Sequence, residues 1–199
     1  MYGLLRLIFI GVLLLMSWLF LARFEKTTRI IALALVIIIG FATWFIPVEN
    51  LFVTFSEPSQ AFQYVYSASV QNVVYAEESA FIVGADGNKK ILAIVPRMGH
   101  NWGISLGHQT ELIHTLFDNG FLANIYRFSK TGEYYIVVNS TTTIQSIQDS
   151  FGSSFVSCSE PGITSEFVEH TMCAYLKGYD YPYILQVNGT EYVFSHVTQ

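Results

Sequence analysis

The chain has 199 residues, of which 52% are hydrophobic and 13% are charged, and its formal net charge at neutral pH is −5. Residues 1–46 carry four Lys or Arg against one acid, a net of +3, while residues 47–199 carry six against fourteen, a net of −8. The acidic C-terminal part argues against nucleic-acid binding, because the phosphate backbone attracts positive charge. Its roughly 150 residues are enough for one domain with its own core.

Two apolar stretches open the chain, residues 3–22 and residues 30–46, and the basic segment 23–29 joins them. A helix of about 20 apolar residues is long enough to cross a hydrocarbon core of about 30 Å. Arg6 fits such a helix if its side chain extends to the lipid headgroups. This pattern predicts a transmembrane α-hairpin over residues 1–47, with the lipid bilayer as its partner.

The charges between the two stretches predict the orientation of this hairpin. Segment 23–29 carries three basic residues and one acid, and loops of this kind tend to stay in the cytoplasm. We therefore expect a two-span protein of the cell membrane whose C-terminal domain, residues 48–199, faces the outside. A cleaved signal peptide is the alternative, but Phe20 and Ala22 do not form a small-residue cleavage site.

Beyond residue 47 the hydrophobic pattern changes from continuous to alternating. Ser56 as N-cap and Pro58 in the first turn predict a helix of two or three turns. Valine-rich and aromatic runs then predict strands at 70–75, 80–83, 90–95, 102–106, 111–117, 121–128, 133–138, 155–158, 171–176, 183–187 and 192–196. Hairpin turns are predicted at 85–88, 118–120, 129–132 and 188–189. A second short helix is predicted at 143–151.

Sequentially adjacent strands joined by tight turns are typical of antiparallel sheets. We therefore predict a mainly antiparallel all-β domain, either a meander closed into a barrel or a sandwich, with one or two short helices. A doubly wound α/β sheet would need crossover helices of about ten or more residues, and the pattern predicts none after residue 47. The predicted fold as a whole is a membrane α-hairpin of two transmembrane helices followed by this β-domain.

Three short runs resemble a loose group of uncharacterised small membrane proteins of Gram-positive bacteria. They are FSEPSQAFQY at 55–64, SAFIV at 79–83 and EYYIVV at 133–138. Members of the group have two transmembrane segments and an outer β-domain. The resemblance implies a bacterial cell-membrane setting and no particular activity.

The two cysteines of the chain are Cys158 and Cys173. In an exported domain, two cysteines about 15 residues apart are most simply explained by a disulfide, which contributes on the order of 3 kcal/mol of stability. Two inert buried thiols are the second interpretation, and the first if the domain is cytoplasmic. A third makes Cys173 a nucleophile with His170 as its base. A zinc site needs more ligands at close spacing.

Ser105 is the other candidate nucleophile, because residues 103–107 match the pattern G-x-S-x-G. That pattern works where a strand turns into a helix, whereas the residues that follow predict a strand. A hydrolase using Ser105 or Cys173 is therefore an alternative function and not the leading one. Three histidines are interpreted as surface or loop residues rather than metal ligands: His100, His108 and His114. No metal or other cofactor is predicted.

Tyr179, Tyr181 and Tyr183 alternate with Asp180 and Pro182, so an extended chain would place the three rings on one face. Such a row is suited to stacking against sugar rings or docking a peptide. The competing interpretation is that the tyrosines cover the end of the core. We treat them as a possible binding surface.

The absence of a catalytic pattern in the sequence favours a binding function. We expect a membrane-anchored, extracytoplasmic binding, sensing or assembly module without catalytic activity. Its partner would be a membrane or cell-surface protein, and not nucleic acid. A further alternative makes the hairpin the functional part, as a small accessory subunit packed against a larger membrane complex.

Overall fold

A computed structural model describes residues 2–21, 25–42, 47–87, 89–105, 109–158 and 170–195 of the chain. Its helices are α1 (Tyr2–Leu21), α2 (Lys26–Ala42) and α3 (Pro58–Val65), with a 3-10 turn over Val48–Leu51. The helices α1 and α2 pack against each other, and Gly40 of α2 faces the side chain of Ile10 on α1. Glu57 and not Ser56 is the residue that precedes α3, and Pro58 occupies its first position, where a missing N–H costs nothing.

The predicted transmembrane hairpin is wrong. Among the described residues, no helix combines the length and the apolar character that a membrane crossing requires. Arg6 lies within the first two turns of α1. Lys26 and Arg29 lie in the first turn of α2.

The location and orientation derived from that hairpin are wrong for the same reason. Two spans, a cell-membrane location, a cytoplasmic segment 23–29 and an outward-facing C-terminal domain all required helices that can cross a bilayer. Within the second apolar stretch, which was expected to stay helical to residue 46, the described residues 30–42 belong to α2. Residues 22–24 and 43–46 lie outside the described part of the chain.

The helix pair exposes apolar side chains over much of its described surface. Trp18 and Leu19 on α1, and Ile38 and Phe41 on α2, are each more than half exposed. Further exposed apolar side chains on the two helices are Val12, Leu13, Leu15, Met16, Ile30, Ile31, Leu35, Ile37 and Ile39. Contiguous exposed apolar surface is typical of a contact surface for another molecule.

Twelve strands form three antiparallel sheets in the described part of the chain. The strands are β1 (Ser69–Tyr75), β2 (Ser79–Asp86), β3 (Lys89–Met98), β4 (Asn101–Trp102), β5 (Thr110–Asp118), β6 (Phe121–Phe128), β7 (Tyr134–Ser140), β8 (Ile147–Asp149), β9 (Val156–Ser157), β10 (His170–Leu176), β11 (Tyr183–Val187) and β12 (Thr190–Phe194). The first sheet has the order β1-β2-β3-β4, the second β5-β6-β7-β10-β9 and the third β12-β11-β8. All their pairings are antiparallel, which confirms the predicted mainly antiparallel β-domain.

The sheets stack face to face, and α3 covers the outer face of the first sheet. Ala80 and Ile82 of β2 point to this outer face and share a buried cluster with Phe62 of α3. Phe81 and Val83, which alternate with them, point to the second sheet. The strand β2 is therefore buried on both of its faces.

The strand β7 is buried in the same way between the first and third sheets. Tyr135 and Val137 face the first sheet, while Ile136 and Val138 face the third. Because successive side chains point to opposite faces, a strand between two layers appears in the sequence as an unbroken apolar run. The arrangement is a layered stack, related to the predicted sandwich, and not a closed barrel.

A buried polar network lies at one edge of the interface between the first and second sheets. The carboxyl group of Glu133 accepts hydrogen bonds from the Glu78 N–H at 2.8 Å, from the Thr131 hydroxyl at 3.0 Å and from the Ser79 hydroxyl. Tyr135 donates in turn to Ser79 at 2.7 Å, since the Ser79 proton points to Glu133. Ser79 and Tyr135 are fully buried, so their partners hold the two sheets in one relative position.

The predicted hairpin turns have the left-handed backbone that their residues favour. The φ angles are 37° at Asn119 and 82° at Gly120, and 50° at Asn188 and 82° at Gly189. Only Gly and Asn adopt this region at low cost, so these pairs set the register of β5 with β6 and of β11 with β12.

The helix predicted at residues 143–151 is wrong. Residues Ile147–Asp149 form the strand β8, in which Gln148 lies opposite Gln186 of β11. Just before it, the N–H groups of Gln145 and Ser146 donate to the side chain of Asn188 at 2.8 and 3.1 Å. Pairing with a segment about 40 residues away thus overrides a weak local helical pattern.

Candidate functional site

The tyrosines predicted as a binding surface lie in the connection between β10 and β11. The ring of Tyr179 contacts the other two, with centroids 5.3 Å from Tyr181 and 5.6 Å from Tyr183. Residues 177–178 form a turn and residues 181–182 form a bend before β11 begins, so this segment is not the extended chain that the alternation indicates. The three rings form one cluster and not a row.

Tyr183 belongs to the core. Its ring is fully buried and lies 6.0 Å from the Phe151 ring and 5.3 Å from the Phe194 ring, between centroids. Its hydroxyl donates a hydrogen bond to Oδ2 of Asp149 at 3.1 Å. Burial raises the pKa of Tyr183, and the adjacent Asp149 carboxylate raises it further. Tyr183 therefore anchors the cluster without being available to a ligand.

Four half-buried aromatic side chains beside this anchor form what we call the aromatic surface: His114, Tyr134, Tyr179 and Tyr181. Tyr134 lies 4.7 Å from Tyr179, and His114 lies 6.3 Å from Tyr181, between ring centroids. The two added rings come from β7 and β5, far from the loop in sequence. Local alternation identified the loop tyrosines, but only the fold brings Tyr134 and His114 next to them.

The hydroxyl group of Tyr179 distinguishes this surface from ordinary core packing. Its oxygen is buried and has no hydrogen-bond partner, and the same holds for the hydroxyl of Ser153. Burial raises the pKa of Tyr179, and the neighbouring Tyr181 side chain raises it further. A buried hydroxyl without a partner costs about 1–3 kcal/mol, and a bound polar group or water would recover it.

Cys158 and Cys173 lie on the opposite face of the second sheet, in its interface with the first. Both are free thiols, with Cys158 4% and Cys173 0% exposed. Cys173 is opposite Val156 in the β9–β10 ladder, and the Cys158 N–H donates to the carbonyl of Thr171 at 2.8 Å. The cysteines are thus diagonal neighbours on adjacent strands, and the Cys158 thiol donates to the carbonyl of Val156 at 3.7 Å. The disulfide between them stays a prediction.

Three polar side chains surround the thiol pair: Lys90, Asn139 and Thr171. The Lys90 ammonium donates to Oδ1 of Asn139 at 3.0 Å and to Oγ1 of Thr171 at 2.8 Å, and Thr171 donates to Asn139 at 2.8 Å. No local pattern in the sequence indicated Lys90, because it reaches the cysteines from another sheet.

The two thiols differ in acidity. The pKa of Cys158 is lowered, because the hydrogen bond from Cys173 and the positive charge of Lys90 favour its thiolate, while burial acts in the opposite direction. The pKa of Cys173 is raised by that hydrogen bond and by burial. Cys158 is therefore the sulfur that loses its proton first.

Ser105 does not have the surroundings of a nucleophile. Its side chain is buried, and its hydroxyl donates a hydrogen bond to the backbone carbonyl of Ile94. His170 lies three residues before Cys173, on the other face of β10, and its Nε2 is 3.3 Å from the Thr143 hydroxyl. Among the residues that the structure describes, neither predicted nucleophile is thus paired with a base in the way that a hydrolase needs.

The two described members of the histidine cluster, His100 and His114, lie in different parts of the fold. His100 is exposed at the turn after β3, and His114 belongs to the aromatic surface, where it also contacts Phe194 at 5.1 Å. His108 lies outside the described residues. Within the described ranges, no three His, Cys, Asp or Glu side chains are close enough to hold a metal ion.

Comparisons with known proteins found no relative of this chain. No protein-family model, no curated protein sequence and no solved structure matches it. Its function is therefore argued from the aromatic surface, the helix pair and the thiol pair.

The buried phenol of Tyr183 makes the stability of the domain sensitive to high pH. The pKa of Tyr183 in the folded chain is raised above the ordinary 10.0. The buried phenol therefore contributes its full stabilisation below pH 10. Above pH 10 this stabilisation is lost, because the tyrosine ionises in the unfolded chain but not in the folded one. We predict that the wild-type free energy of unfolding falls above pH 10, and that Tyr183→Phe removes up to about 1.4 kcal/mol per pH unit of this fall. Urea unfolding at pH 8, 10 and 11 measures the difference.

The matched control for this experiment is Tyr75→Phe, since the Tyr75 side chain is 60% exposed on β1. It should leave the wild-type pH dependence unchanged. Identical slopes for wild type and Tyr183→Phe above pH 10 would show that Tyr183 is not buried as described.

Proposed function

We propose that the β-domain is a non-catalytic binding module whose aromatic surface takes the sugar rings of an oligosaccharide. The observation that carries this proposal is the half-buried ring cluster around the unpartnered hydroxyl of Tyr179. A sugar ring has an apolar face that stacks on an aromatic side chain and hydroxyl groups that donate and accept hydrogen bonds. It therefore satisfies both features of the surface at once.

The surroundings of the aromatic surface support a preformed site. Tyr183, which anchors it, is fully buried and hydrogen-bonded, so the adjoining Tyr179 and Tyr181 are packed against a fixed base. Asp180 is exposed between them, and its carboxylate accepts the Tyr181 N–H at 2.8 Å. A rigid aromatic platform with an adjacent acceptor loses little entropy when a ligand binds.

Replacing the outer tyrosine tests this function directly. Tyr181→Ala removes a half-buried ring of the aromatic surface, and we predict at least a roughly tenfold loss of affinity for the oligosaccharide that the wild-type chain binds best. An immobilised panel of oligosaccharides identifies that ligand, and calorimetric titration then gives the two affinities.

Tyr75→Ala is the control, because Tyr75 is an exposed tyrosine on a different sheet and should not affect binding. Wild-type chain that binds no oligosaccharide at millimolar concentration, or a Tyr181→Ala variant that binds as well as wild type, would refute the proposal.

A second candidate function is supported by the helix pair. The exposed side chains of Leu15 and Leu19 on α1, and of Ile38 on α2, form part of an apolar surface that the β-domain sheets do not need for their own cores. Obligate protein interfaces are rich in such side chains. On this observation we propose that α1 and α2 dock the chain as a small subunit against a larger protein assembly.

Polar substitutions on the helices test this second candidate. The double variant Leu19→Ser and Ile38→Ser should lose a partner that co-purifies with the wild-type chain in fixed stoichiometry, as measured by native mass spectrometry. The control, Val193→Ser, changes a half-exposed apolar residue of β12 and should retain the partner. Recovery of the wild-type chain alone, at the mass of one copy, would contradict subunit docking.

A further inference from the structure

The thiol pair combines an outer and an inner cysteine. Cys158 follows β9, which is only two residues long and is the outermost strand of the second sheet, and its neighbours Val156 and Ser157 are exposed. Cys173 is in the inner strand β10 and is fully buried. A small displacement of β9 therefore opens Cys158 to a reagent and leaves Cys173 covered.

We propose that Cys158 and Cys173 form a thiol–disulfide exchange site for low-molecular-weight disulfides, with Cys158 as the attacking thiol and Cys173 as the resolving thiol. The two cysteines are diagonal neighbours in the β9–β10 ladder and share one buried cluster, and Asn139 and Thr171 hold the Lys90 ammonium beside them. This proposal is independent of ligand binding at the aromatic surface.

The exchange takes place in two balanced steps. Cys158 first loses its proton to solvent, and its thiolate attacks one sulfur of the disulfide RSSR. A Cys158–SR bond forms as the S–S bond of RSSR breaks. The other sulfur leaves with the electron pair of that bond as RS⁻. Cys173 then loses its proton to solvent and attacks the Cys158 sulfur, which releases the second RS⁻. The two thiolates take up the two protons. The protein loses two electrons, and RSSR is reduced to two RSH.

Lys90 favours the thiolate form of both cysteines, and Cys158 attacks first because Cys173 is fully buried in the inner strand. A positive charge near a thiol favours the thiolate, which is the reactive form. Lys90 donates to Thr171, the residue paired with Cys158 across the β9–β10 ladder. The next residue in sequence, Lys89, lies on the opposite face of β3, as alternation along a strand requires, and so does not share this role.

The diagonal arrangement makes the resulting disulfide reversible. Diagonal neighbours on adjacent antiparallel strands have Cα atoms about 7–8 Å apart, beyond the roughly 4.4–6.8 Å that a disulfide usually spans. Oxidation therefore requires β9 to move. That strand is tied to β1 by a hydrogen bond from the Asn72 side chain to the Ser157 carbonyl at 2.6 Å. A strained disulfide of this kind is readily reduced again.

Treatment of the folded full-length chain with glutathione disulfide tests the proposal, with intact mass and alkylation of remaining thiols as the readout. The wild-type chain should lose both free thiols and about 2 Da, without a stable adduct. Cys173→Ser should accumulate one glutathione, bound to Cys158. Cys158→Ser should remain unmodified, because Cys173 is buried. Circular dichroism confirms that each variant is folded.

Two further variants test how the site works. Lys90→Met should slow the reaction of Cys158 at neutral pH by roughly three- to tenfold, and its matched control Lys89→Met should not. Asn72→Ala should accelerate the reaction by roughly threefold or more, since it frees β9. The proposal is overturned if the folded wild-type chain keeps both thiols, if Cys158→Ser traps the adduct as well as Cys173→Ser, or if the two lysine variants react alike.

Discussion

The contact between the first and second sheets is the interaction on which the rest of this structure depends. At its centre the ring of Phe81 on β2 stacks on that of Tyr135 on β7, with centroids 5.3 Å apart and planes 24° apart. Tyr135 also continues into the hydrogen-bond network of Ser79 and Glu133 at the edge of the same interface. Apolar stacking and buried hydrogen bonds thus act on the same two strands, and each restricts how the sheets can shift.

Both candidate sites are consequences of this layering. Because β7 and β10 lie between two layers, one face of the second sheet holds Cys173 against the first sheet and the other holds Tyr134 beside the third. The thiol pair lies at the end of β9, at one edge of the second sheet. The aromatic surface lies on the opposite face of that sheet, where the connection between β10 and β11 contacts Tyr134. One strand order therefore places a buried reactive pair and a half-exposed ring cluster on opposite faces of a single sheet.

Features that depend on a few neighbouring residues could be predicted from the sequence. Features that depend on contacts between distant segments could not. Pairs such as Asn119-Gly120 have few backbone choices, so the hairpins and the antiparallel domain were predictable. The segment that became β8 has no strong local preference, and only β11 makes it a strand. Lys90 reaches its site from another sheet, and Tyr134 reaches its site from a neighbouring strand that is distant in sequence. The hairpin prediction failed because it counted apolar runs, let Arg6 extend to the headgroups and placed Lys26 and Arg29 in a loop, whereas both lie in α2 and no described helix meets the requirements of a membrane crossing.

Native-state hydrogen exchange tests the central claim, that the sheets are one cooperative unit held by their shared interface. The amide groups of Ile82 on β2 and Ile136 on β7 are suitable reporters, because both lie in inner, fully buried strands. The layered structure predicts that they exchange with free energies equal within about 1 kcal/mol, and that Phe81→Ala lowers both together. The central claim would be contradicted if the exchange free energy at Ile82 were lower than that at Ile136 by about 3 kcal/mol or more. It would also be contradicted if Phe81→Ala lowered the exchange free energy in β2 alone.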